Sequence, residues 1–155
     1  MTPAINIVRK NNVSHRIHEY SHNPSNNSYG SEAAEKLGVP EERIFKTLVV
    51  SLDNKRLCVG VLPVSSMLSM KLIAKAAGAK KAVMATLSEV ERSTGYVLGG
   101  VSPLGQRKQL KTIIDSSANH FKTIYISAGR RGLDIELSPI DLKRLIRGIF
   151  AEICQ

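Results

Sequence analysis

A lysine at the head of an apolar run and a glycine-rich segment further along carry the residue types best suited to gripping an anion. Segment 93–105 reads Ser-Thr-Gly-Tyr-Val-Leu-Gly-Gly-Val-Ser-Pro-Leu-Gly, with four glycines and one proline. It cannot continue a helix, because glycine loses backbone entropy there and proline removes a donor while clashing with the preceding turn. Gly99 and Gly100 can take positive φ and lack a Cβ, so their N–H groups can come close to a ligand oxygen. Pro103 stiffens the chain beyond it, and Arg107, Lys108 and Lys111 come next. Turns also need glycine, but the length and the basic tail favour a binding loop over a plain connection.

Lys46 is second in Phe45-Lys46-Thr47-Leu48-Val49-Val50-Ser51-Leu52, where a period of two sets it in one row with Leu48 and Val50. An ammonium at the end of such a row either snorkels to water or faces an anion. Asp134 and Glu136 alternate with Leu133, Ile135 and Leu137, which puts both carboxylates on one face, read as solvated. Thr47, Ser102 and Ser127 offer hydroxyls that read as ordinary polar positions or as donors. No Gly-x-Ser-x-Gly elbow surrounds them and no Ser-His-Asp set is legible. His15, His18, His22 and His120 lack metal-ligand spacing, and Cys58 and Cys154 are too far apart for a thiolate pair, so neither metal nor cofactor is expected. The glycine segment lacks the Gly-Lys-Ser/Thr ending of a nucleotide-triphosphate loop and the βαβ setting of a dinucleotide site.

The elements that must position these residues are well punctuated. Thr2-Pro3 reads as an N-cap and first helical position for a helix to about residue 11, and 15–20 alternate as a strand. Residues 21–30, rich in Ser and Asn, form a long polar loop, and a helix from Ser31 stops at Gly38. Runs 45–52 and 57–62 around Asp53-Asn54 make a hairpin. A helix over 70–77 capped by Ser69, a short strand near 81–84 and a helix from Thr86 to about 92 lead into the glycine segment. Strands at 112–115 and 123–127 come after it, then a tight turn 129–132, a strand 133–137 and a helix from Ser138-Pro139 that continues through Ile149. Hairpins among interspersed helices predict a mixed sheet in one α/β domain spanning 1–155.

Composition agrees with one globular domain of 155 residues, 43% hydrophobic and 5% aromatic, whose core is aliphatic and Ala-rich. The excess of 22 Lys and Arg over 13 Asp and Glu, a formal charge of +9, suits an anionic partner, nucleic acid ahead of membrane, or simply a basic surface. No apolar run reaches the roughly 20 residues of a membrane span, no secretory leader is visible, and two separated cysteines fit a reducing, cytoplasmic setting.

Met1-Thr2-Pro3-Ala4, Phe45-Lys46-Thr47-Leu48, Ser93-Thr94-Gly95-Tyr96, Gly99-Gly100-Val101-Ser102-Pro103-Leu104-Gly105 and Arg131-Gly132-Leu133-Asp134-Ile135-Glu136-Leu137, taken together and in order, resemble the YbaK-type proteins. These belong to the prolyl-tRNA synthetase-associated editing domains. The resemblance covers essentially the whole chain and implies a compact α/β domain around a barrel-like mixed sheet. It implies a free-standing deacylase that removes cysteine misattached to tRNA(Pro), meeting the tRNA acceptor end and cooperating with prolyl-tRNA synthetase, without metal or membrane. Lys46 would meet the 3′-terminal nucleotide. Gly99, Gly100, Ser102 and Pro103 would set backbone amides at the aminoacyl ester. Tyr20, Tyr29, Thr47, Ser127, Gly129 and Asp134 would line the pocket. The implied mechanism is substrate-assisted, the cysteine thiol attacking its own ester, which suits a chain with no legible protein nucleophile. Tyr29 stands where related sequences often carry Phe, and Ala128 precedes Gly129 where a Gly-Gly pair is common.

Overall fold

A computed structural model describes residues 1–26 and 28–155. Its elements are α1 (Pro3–Lys10), β1 (His15–Glu19), α2 (Tyr29–Leu37), β2 (Phe45–Leu52), β3 (Arg56–Pro63), α3 (Met70–Ala77), β4 (Ala82–Met84), α4 (Leu87–Thr94), β5 (Lys111–Asp115), β6 (Ile124–Arg130), β7 (Leu133–Leu137), α5 (Pro139–Ile146) and β8 (Ile149–Ala151). The strands form two sheets. One is antiparallel in the order β1-β7-β6; the other is mixed in the order β4-β2-β3-β5-β8. A parallel bridge between Ile44 and Tyr125 joins them where β2 begins.

Local chemistry accounts for most boundaries. The Thr2 hydroxyl accepts the Ile5 N–H at 3.2 Å, satisfying one orphan donor of α1. Thr86 and Glu89 form a reciprocal capping box on α4. Asp53 and Asn54, both at positive φ (52° and 55°), make the tight turn of the β2–β3 hairpin. The main boundary differences from the sequence reading are three. Strand β6 runs to Arg130 instead of 127, so Gly129 and Arg130 belong to the strand and only Arg131-Gly132 turn. Helix α2 starts at Tyr29 instead of Ser31, so Tyr29 is fixed in a first helical turn and the polar loop is shorter; Asn27 within that loop lies outside the described residues. Helix α5 stops at Ile146 because Arg147 turns left-handed (φ 51°), and Ile149 instead pairs in parallel with Ile113 as part of β8.

The larger core lies between the sheets, where Val49, Val59, Val61 and Ile114 meet Ile124, Ile126 and Ile135, closed by Ile5 and Val8 of α1 and Leu142 of α5. Burying each such side chain is worth about 1.5–3 kcal/mol. The alternate row of β2, Leu48, Val50 and Leu52, packs with Ile73, Ala74 and Ala77 of α3. The five-stranded sheet is thus covered on both faces, and the polar residues at the start of β2 fall where its two cores run out. A third, small cluster of Ala33, Ala34, Ile44 and Tyr125 fastens α2 over the junction of the sheets.

Candidate active site

At that junction lies a cavity of about 390 Å³, walled by the first turn of α2, the start of β2, the glycine-rich loop and the β6–β7 hairpin. Of the residues singled out in the sequence, Tyr20, Tyr29, Lys46, Thr47, Gly99, Ser127 and Asp134 line it. Lysine and glycine loop therefore share one hollow.

Lys46 lies in the row of Leu48 and Val50, as its period requires, with its Nζ donating to the Ser66 carbonyl at 2.6 Å. Burial lowers its pKa from the usual lysine value. The ammonium is neither released to solvent nor matched by a carboxylate among the described residues, so an incoming anion would relieve its poor solvation. Beside it, the Thr47 hydroxyl is buried with no hydrogen-bond partner among the described residues. Such orphans are rare in folded proteins, and this one lies on the cavity wall.

Asp134 corrects the sequence reading most sharply. Its face reads as solvated in the sequence, but the residue is only 6% exposed, and burial pushes its carboxyl up to about 7. The periodicity of β7 holds; α2 and the Tyr20 segment cover the face expected to be open. Tyr20 is anchored by its N–H to the Gly132 carbonyl at 2.9 Å, and burial, reinforced by Asp134 and Glu32, raises its phenol to about 12. Ser127 stands opposite Asp134 as the last regular pair of the ladder, just before the register of β6 shifts between Ser127 and Arg130. Gly129, at φ 111°, makes that bulge, and its N–H donates to the Ser127 hydroxyl at 3.1 Å. Ala128 needs no positive φ, so its place before Gly129 carries no strain.

The glycine loop divides into a lining part and a supporting part. Gly99, at φ 90°, lies under the Tyr29 ring, where an added Cβ would be 3.3 Å from a ring carbon. Gly100, Ser102, Pro103 and Gly129, expected at the site, do not line the cavity. The Gly100 N–H closes a turn on the Val97 carbonyl at 3.0 Å, so it is not available to a ligand as expected, and a Cβ there would lie 2.6 Å from the Arg130 Cα. Ser102 is fully buried, its hydroxyl accepting the Leu104 N–H at 3.2 Å and its carbonyl the Gln106 amide at 3.1 Å. Pro103 is buried next to it. These four give the loop and the bulge their shape.

Sequence reading missed Arg131 and Glu32. The Arg131 guanidinium lies 4.2 Å from the Tyr29 ring centroid and donates to the Asn23 carbonyl at 3.0 Å, to the Asn26 carbonyl and to Glu32 at 3.2 Å. Glu32, in the first turn of α2, is only 2% exposed. The Asn23 N–H, and then Arg131, hold its carboxyl below the ordinary value against burial. The only hint in the sequence is the Arg130-Arg131 pair between Gly129 and Gly132, which reads as surface charge. No histidine or cysteine is among the described residues lining the cavity. Its polar groups can orient and stabilise charge, but no Ser-His or Cys-His nucleophile is assembled.

A family model described as aminoacyl-tRNA editing domain matches residues 24–145. A protein of Enterococcus faecalis named "Putative Cys-tRNA(Pro)/Cys-tRNA(Cys) deacylase EbsC" is 40% identical over 98% of this chain and 92% of its own length. The uncharacterized protein YwhH of Bacillus subtilis is 29% identical over 80% of this chain and 79% of its own. Among solved structures, one described as a putative trans-editing enzyme for prolyl tRNA synthetase superposes with a TM-score of 0.83 at 20% identity, covering 100% of this chain and 99% of its own. A hypothetical protein gives 0.87 at 25% identity, covering 99% of both chains. Both bear out the single-domain α/β fold with mixed sheets.

Proposed function

The chain belongs to the aminoacyl-tRNA editing domain family, and from that premise we propose that it clears cysteine from mischarged tRNA(Pro) as a free-standing enzyme. One observation carries this reading: Lys46, Gly99 and Asp134, remote in sequence, converge on one cavity of about 390 Å³, at the small end of the range for ligand pockets and suited to a terminal nucleoside bearing a small amino acid. In this reading Lys46 gives up the Ser66 carbonyl for a phosphate or ribose oxygen of the 3′ end. Tyr29, held between Arg131 and the Gly99 loop, forms a fixed wall beside which the adenine would rest.

The chemistry would come from the substrate. Its thiol sulfur attacks the ester carbonyl carbon, the carbon–oxygen bond to the ribose breaks, and a cyclic thiolactone departs. The thiol proton ends on the ribose oxygen. Asp134, poised at about 7, is able to take and return that proton, while positioning and charge stabilisation by the cavity supply the rest of the acceleration. Prolyl-tRNA synthetase would act as the partner that presents the correct tRNA.

The test measures hydrolysis of Cys-tRNA(Pro), Ser-tRNA(Pro), Ala-tRNA(Pro) and Cys-tRNA(Cys), each with and without prolyl-tRNA synthetase. Rapid loss of cysteine with serine spared by 100-fold or more supports the thiol route, since a hydroxyl of the same reach is a far weaker nucleophile. Equal turnover of cysteine and serine overturns that mechanism, preference for alanine reassigns the substrate, and binding without turnover removes the enzyme reading altogether.

A further inference from the structure

The stretch between α4 and β5 presents a cluster of cations that the cavity does not use. The Arg107 N–H donates to the Thr94 carbonyl at 2.9 Å and the Lys108 N–H to the Ser93 carbonyl at 3.0 Å, which fixes this basic pair against the last turn of α4. Arg92 comes from that same turn, and its carbonyl accepts from Arg107 Nη1 at 3.5 Å. Gly95, at φ 81°, allows the crossing: a Cβ there would stand 3.6 Å from the Arg107 side chain. All three side chains are exposed, and no carboxylate among the described residues pairs with them. Proximity to the negative end of α4 explains their tolerance as neighbours. It does not explain the apolar surface beside them.

Between this cluster and the cavity lie Val97 and Leu98, 62% and 64% exposed, and Leu98 also forms part of the cavity wall. Gly99 comes four positions after Gly95, so the glycine beside Arg107 stands at most about 14 Å from the glycine on the cavity wall. Arg130, which lines that mouth, has only a loose ion pair with Glu19 at 3.8 Å, both partners being mostly exposed. From the end of α4 onward, cations, two exposed apolar side chains and the cavity wall therefore succeed one another along the chain. The other basic pairs lack this setting. Arg144 pairs with Asp141, and Lys80-Lys81, whose backbone N–H groups donate to Asp53, lie at the far turn of the β2–β3 hairpin.

We propose that Arg92, Arg107 and Lys108, with Val97 and Leu98, form the track along which the RNA strand leading to the cavity is held. The cations meet successive phosphates, and the two apolar side chains rest against an unstacked base. This rests on the reading of the cavity as the seat of a 3′-terminal aminoacyl nucleotide and extends it outward by a few nucleotides. Held this way, the affinity comes from the backbone and carries little sequence information, so the track fits any tRNA acceptor end and leaves identity to another component.

The experiment compares wild type with the Arg107→Ala/Lys108→Ala double variant, with Lys80→Ala/Lys81→Ala as the charge-matched control. Uncharged tRNA binding is titrated across about 50–200 mM salt, and hydrolysis is followed on Cys-tRNA and on the cysteinyl ester of adenosine, which carries no phosphate. The track variant should raise KM for the tRNA about tenfold and flatten the slope of log affinity against log salt by about 1.4, two phosphate contacts at about 0.7 each. Turnover of the adenosine ester should match wild type, a readout that a collapsed loop would move and a lost phosphate contact would not. An unchanged salt slope and KM overturn the proposal. So does an unchanged tRNA affinity with lost stimulation by synthetase, which would give the patch to a protein partner instead. If wild type hydrolyses no aminoacyl-tRNA, the deacylase function fails, and the salt slope still decides the track by itself.

Discussion

Asp134 and Glu136 leave β7 on the same face, two residues apart, and the molecule treats them in opposite ways. Around Glu136 polar groups are matched: His18 at 2.9 Å, Thr123 at 2.6 Å and Arg43 at 3.5 Å all reach its carboxylate. Burial pushes that carboxyl up, but the bonds from Thr123 and His18, with Arg43 nearby, hold it below its ordinary value. Around Asp134 burial acts alone, and the same cavity wall holds the Thr47 hydroxyl, without a partner among the described residues, and a poorly solvated Lys46. A cluster whose partners are all present is structure. A cluster whose partners are missing is waiting for a ligand.

The largest expected effect that tests this contrast is on chemistry at the unmatched end. Lys46→Ala should lower kcat/KM for deacylation by at least about 100-fold, comparable to losing a preorganised charge-stabilising group, while the melting temperature stays put. Full activity in that variant would remove Lys46 from the site. Next comes the pH dependence of stability. Asp134 is protonated in the fold until about pH 7 but ionises near its ordinary 3.8 when unfolded, so folding is progressively penalised as pH rises between about 4 and 7. The penalty reaches at most about 4 kcal/mol and is constant above that window. Asp134→Asn should remove it, flattening denaturant-derived stability over that same window while deacylation falls.

Glu136 should behave with the opposite sign. Its lowered pKa supplies stability that is present above the ordinary glutamate value of 4.5 and is lost as pH falls below it. Glu136→Gln should therefore cost about 1–3 kcal/mol at neutral pH, converge with wild type in acid, and leave deacylation within a few-fold, all readable from urea titrations at several pH values. The smallest effect is expected from Thr47→Val. Deleting a buried hydroxyl without a partner should leave stability unchanged or raise it by up to about 1 kcal/mol, while KM rises a few-fold if that hydroxyl meets substrate. A clear loss of stability would mean that the hydroxyl has a partner in the fold.

Much of this contrast is legible in the residues themselves. The alternation around Lys46, the hairpin at Asp53-Asn54 and the glycine loop are local signals, set by period and backbone freedom, and the structure keeps them. The features that escape depend on partners distant in sequence. Period two places Asp134 beside Glu136 but cannot show that one is closed in near Tyr20 while the other meets Arg43 and His18. Glu32 reads as a helix-start carboxylate, whereas Arg131, 99 positions along, turns it into a buried anchor. Gly100 stands out in the sequence for its freedom, but the need is for room beside the Arg130 backbone. The end of α5 at Arg147 is hidden because a non-glycine residue takes the left-handed turn.

The carbonyl that steadies Lys46 belongs to Ser66, and the residues just beyond it are latched by residues 153–155: Ser69 N–H on the Ile153 carbonyl at 2.8 Å, Gln155 N–H on the Met67 carbonyl at 2.9 Å, and a bridge from Leu68 to Cys154. Residues 153–155 thus brace, from outside the cavity, the segment on which the Lys46 ammonium rests, and loosening that brace should disturb the pocket without touching its walls.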